Sequence, residues 1–125
     1  MKRFLIILLV TLFLAPLAFA GGKAGEDSWV QPGDVATADD LVHNGDCLFH
    51  GLIVSTDGTN SVTVDVYDSS SAVGKKIIPS WVVTTAANDR IQSLSLWPPV
   101  RCFNGIFVDV LTVGTVEFVP YFKKR

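Results

Sequence analysis

Two cysteines, two histidines and a scatter of turn carboxylates are the groups in this sequence whose types could do chemistry. Cys47 and Cys102 have no C-x-x-C neighbour, so neither dithiol catalysis nor a zinc ribbon has support. His43 and His50 flank Asn44-Gly45-Asp46. If that stretch turns tightly, His43 and Asp46 face each other across it with Asp39 near His50, and imidazole with carboxylate suits a transition metal. The spacing matches no ligand motif, and polar contacts within a turn account for it, so no metal is expected. Asp57 with Asn60, and Asp65 with Asp68, could offer oxygens to the millimolar calcium an exported protein meets. None of these spacings reproduces a D-x-D-x-D-G loop, and solvated turn carboxylates are the simpler account. G-x-S-x-G and H-E-x-x-H are absent, and Gly74-Lys75-Lys76 lacks the upstream glycine of a phosphate loop. The expectation is a protein with no enzymatic activity and no cofactor.

Aromatic side chains offer binding chemistry instead. Trp29, Tyr67, Trp81, Trp97 and Tyr121 could stack on sugar rings, which makes a carbohydrate-binding module the alternative to a purely structural role. Tyr67 falls on the polar side of an alternating segment and is the candidate ligand aromatic. Trp97, directly before Pro98-Pro99, is expected to be a core plug or a subunit contact, because a tryptophan buries about 150–250 Å². Lys123-Lys124-Arg125 is a solvated end with too few charges to hold an anionic surface alone.

The elements that must position these groups begin after a leader. Lys2 and Arg3 precede an almost unbroken apolar run over 4–14, then Pro16 and the small-residue pattern Ala18-Phe19-Ala20. Residues 1–20 have the form of a secretory signal peptide cleaved after Ala20, which implies an exported protein that is periplasmic, at the cell surface or extracellular, with no membrane span once the leader is gone. Without Lys2 and Arg3 the chain carries 8 basic against 12 acidic residues, a balance that argues against a nucleic-acid partner. In an oxidising compartment the Cys47–Cys102 pair is expected to form a disulfide. It would close a loop of about 55 residues, for which chain entropy gives about 4 kcal/mol.

Residues 21–40 carry glycines, a proline and scattered acids without a period, and are expected to be a flexible lead-in with little regular structure. From residue 41 to 125, short β-branched and aromatic segments alternate with turn signals, the pattern of one all-β domain. No window after the leader holds a helical repeat. In 61–68, Val62, Val64 and Val66 alternate with Thr63, Asp65 and Tyr67. Pro79 places the 77–83 strand at an edge or on a bulge. In 91–97, Leu94 and Leu96 oppose Ser93, Ser95 and Trp97, and Pro98-Pro99 is expected to end that strand. Asn104-Gly105 signals a tight turn. Segments 105–112 and 115–122, joined around Val113-Gly114, are expected to pair as a terminal hairpin with Val116, Phe118 and Phe122 on its core face. Phe107, Leu111, Val119 and Tyr121 make its other face apolar too, and that face is the expected assembly surface of a homo-oligomer.

The run Cys47-Leu48-Phe49-His50-Gly51-Leu52-Ile53-Val54, followed by Val62-Thr63-Val64-Asp65-Val66-Tyr67-Asp68, resembles small all-β proteins of bacteriophage and prophage structural regions. The later run from Trp97-Pro98-Pro99 through Asn104-Gly105 to Val110 is similar to their "P-x-R-x-x-N-G-L-Y-V-x-V" segment. The resemblance implies an antiparallel β-sandwich, of jelly-roll or immunoglobulin-like topology, used as a structural or decorating unit in several copies. A cytoplasmic virion protein has no use for a secretory leader. The two features together point to an exported structural or interaction module that associates with itself, with a cell-surface polymer or glycan as a further partner.

Overall fold

The structure, a computed structural model, describes residues 30–84 and 90–125. The expected leader over 1–20, the first part of the lead-in over 21–29, and residues 85–89 lie outside the described residues. All regular structure among the described residues is β: β1 (Gln31–Pro32), β2 (Asp40–Asn44), β3 (Cys47–Thr56), β4 (Val62–Asp68), β5 (Lys75–Val83), β6 (Ile91–Cys102), β7 (Gly105–Leu111) and β8 (Val116–Lys124). No helix among the described residues is long and apolar enough to cross a membrane.

Period-two patterning explains which side of each strand is buried. β4 turns Val62, Val64 and Val66 inward with no exposure and leaves Thr63 and Asp65 on the outer side. β3 buries Cys47 and Phe49, then Leu52 and Val54; its alternation slips at a register shift between Phe49 and Gly51. The strands form two four-stranded antiparallel sheets, ordered β1-β8-β3-β6 and β2-β7-β4-β5. One apolar cluster draws Phe49, Cys102 and Phe118 from the first sheet and Val62, Ile78 and Ile106 from the second, so the inner faces share a core. Each such side chain contributes about 1.5–3 kcal/mol on full burial.

Connectivity departs from the sequence expectation in three places. β7 and β8 do not pair: β7 lies between β2 and β4 in the second sheet, and β8 between β1 and β3 in the first. The expected terminal hairpin is therefore an arch between sheets, because only the β4–β5 link joins consecutive strands of one sheet. Pro98-Pro99 does not end its strand; β6 runs through both prolines. It is an edge strand, so a residue without an N–H is tolerated there. The described part of the lead-in is also ordered. Gln31 and Pro32 pair with Phe122 and Tyr121, Gly33 donates to the Pro120 carbonyl at 2.7 Å, and Ala36 bridges Phe118. Pro79 sits as expected, on the edge strand β5, where register shifts interrupt the pairing with β4.

Candidate functional site

Opposite Gly51 and His50, the edge strand β6 swells outward. Phe49 pairs with Val100 and Gly51 with Ser95, so His50 alone faces the four residues Leu96, Trp97, Pro98 and Pro99. That bulge sends Leu96 toward the core and leaves Trp97 90% exposed. Gly51 makes the close approach possible: its φ is +140°, and a Cβ there would lie 1.9 Å from the Leu94 carbonyl oxygen. The result is a groove of about 540 Å³ on the outer face of the first sheet, walled by Trp97 and Tyr121 and edged by Ser93 and Ser95. No Asp, Glu, Lys or Arg lines it. Nε2 of His50, a lining residue, is buried without a hydrogen-bond partner, alone in this among buried side-chain nitrogens and oxygens of the described residues.

The aromatic expectations reverse here. Tyr67 is 7% exposed, so it is not a surface ligand aromatic; the register shift between Val66 and Tyr67 takes it off the outward alternation, and Lys76 lies over its ring at 5.3 Å. Trp97 is the open aromatic rather than a core plug. The signal was present in the alternation of 91–97, which puts Trp97 on the same side as Ser93 and Ser95. The four residues of the expected assembly surface also part company. Phe107 and Leu111 point outward from the second sheet and Val119 and Tyr121 outward from the first, so they form no common face.

Cys47 and Cys102 are direct partners across β3 and β6, both fully buried. They stand as free thiols and not as the expected disulfide. The hydrogen bond with Cys47, together with burial, pushes the Cys102 thiol up.

The carboxylates bond to nearby backbone amides or to a basic neighbour. Asp57 accepts from the Thr59 and Asn60 amides and from Asn60 Nδ2, each at 2.8 Å, which holds its pKa well below the usual carboxylate range. Asp46 forms a two-pronged pair with Arg101 at 3.1 and 2.8 Å, which lowers its pKa. His43 stacks on Phe122 with ring centroids 5.2 Å apart. Burial, with the Lys124 charge, lowers its pKa. Asp39 accepts from the Val110 amide on the second sheet, on the other side of the core from His50. Asp65 pairs with Lys76 at 2.8 Å. Asp68, expected as a solvated turn carboxylate, is instead buried and accepts the Phe103 and Asn104 amides at 2.9 and 2.7 Å, fixing the turn from β6 to β7. Among the described residues no group of three His, Cys, Asp or Glu could hold a metal ion. Comparison with protein-family models, with curated proteins and with solved structures finds no match to this chain.

Proposed function

We propose that the chain is an exported, non-enzymatic structural module that associates with copies of itself along the outer edge of β6. One observation carries this reading: between Arg90 and Arg101, β6 has no charged residue, and among the described residues nothing pairs with its outer edge. Soluble sheets blunt free edges with charges, prolines, bulges or shortness. The other three edges follow that practice. β5 carries Lys75, Lys76 and Pro79 and two register shifts, β2 has a shift between Leu41 and His43, and β1 is two residues long. On β6 the prolines and the bulge guard only the 96–99 stretch, leaving 91–95 open to antiparallel pairing with the same stretch of a second copy, an isologous contact.

The strand orders support a structural role. Read as two sheets packed face to face, 1-8-3-6 against 2-7-4-5 is the order of an eight-stranded jelly roll, a β-sandwich common in capsid and lectin domains. That agrees with the resemblance to phage structural proteins, while the leader residues support export. In an oxidising compartment the opposed Cys47 and Cys102 join as a disulfide, tying the edge strand β6 to β3. The experiment is sedimentation velocity over a micromolar concentration series. Wild type associates, and an Ile91→Lys, Ser93→Lys double variant, which puts like charges across the contact, sediments as a folded monomer. A wild type that stays monomeric throughout refutes the reading.

A further inference from the structure

We propose that the groove between Trp97 and Tyr121 binds a pyranose ring of a neutral polysaccharide. This goes beyond self-association and does not rest on it, since one chain supplies every wall of the groove. The volume falls within the range of small-ligand clefts, about 300–1,000 Å³. The chemistry of the walls then selects the occupant. An indole 90% open to water is a flat apolar surface awaiting a flat apolar partner, and the C–H face of a pyranose is one. A purely apolar ligand would leave the hydroxyls at the groove's rim without partners, whereas a sugar carries hydroxyls of its own to meet them. The Ser93 and Ser95 side chains stand on the exposed side of β6, where they meet further hydroxyls at the ring's rim. An ionic ligand finds no Asp, Glu, Lys or Arg in the lining, and the net negative chain repels a polyanion. An extended peptide would add to the β6 edge and not to this face.

The test is isothermal titration calorimetry of the full chain with cellohexaose, chitohexaose and laminarihexaose, and with alginate as the charged comparison. Saturable binding of at least one neutral oligosaccharide is expected, weakened at least about tenfold by Trp97→Ala and retained by Trp97→Phe. Circular dichroism keeps the Trp97 variants comparable, because the side chain contributes little to the core. No saturation by any of the three sugars, binding that survives Trp97→Ala, or equal binding of alginate overturns the proposal. So does a Trp97→Ala variant that loses self-association while no sugar binds, since the groove would then be a contact between copies. Loss of sugar binding with sedimentation unchanged separates this site from the β6 edge.

Discussion

Gly51 joins the path of the backbone to the shape of the groove. Its φ of +140° belongs to glycine, and its missing side chain lets β3 lie against the Leu94 carbonyl. Gly51→Ala is expected to cost at least about 3 kcal/mol, from backbone strain and the clash together, and to show as a lower urea midpoint with an unchanged slope. A midpoint within error of wild type would mean that β3 takes another path. At this scale the sequence was legible wherever the strict alternation held. Val62, Val64 and Val66 are buried and Ser93, Ser95 and Trp97 face out, as their period requires. Tyr67 was misplaced because a register shift depends on what the neighbouring strand does, and nothing within 61–68 records that. The core-plug half of the Trp97 expectation failed for a different reason: its size argued for burial while its position argued for exposure, and position decided.

Among the elements, β1 is the smallest and the most informative about how the first sheet is closed. Its two residues, the Gly33 amide and the Ala36 bridge together occupy one side of β8. Deleting the chain through residue 36 frees that side and should lower the melting temperature by about 4–8 °C, the shift that 1 kcal/mol produces in a domain of this size. An unchanged melting temperature in differential scanning calorimetry would show that these contacts contribute nothing. The eight-strand order itself was not legible. Turn residues such as Asn104-Gly105 and Val113-Gly114 mark where the chain reverses, but hydrogen-bond partners are chosen across the whole chain. The same signal serves a hairpin within a sheet or an arch between two. The acidic and glycine-rich lead-in hid a strand for a similar reason, since what orders Gln31 and Pro32 is the waiting edge of β8.

For the molecule as a whole, composition and short-range pattern were enough to give an all-β domain of antiparallel sheets, because apolar alternation is a local property. The proposed ligand-facing and partner-facing surfaces emerged only once the strands were ordered, since both belong to an edge and an edge exists only in an assembled sheet. The proposed export carries a covalent consequence, since the opposed Cys47 and Cys102 thiols would oxidise to a disulfide outside the cell. Secreted protein should weigh 2 Da less than its reduced form, and reduction should remove about 4 kcal/mol of stability. Two alkylatable thiols in the unfolded, non-reduced protein would contradict the bond between Cys47 and Cys102.

Self-association along β6 is tested most directly by amide hydrogen exchange as a function of protein concentration. Among the described residues nothing pairs with the outer edge of 91–95, whereas its inner edge pairs with β3. The account predicts that exchange of the outer-edge amides slows as concentration rises through the association range, while amides of β4, paired on both sides within one chain, do not respond. Exchange over 91–95 that stays fast at every concentration, or protection that appears on another edge instead, would contradict it.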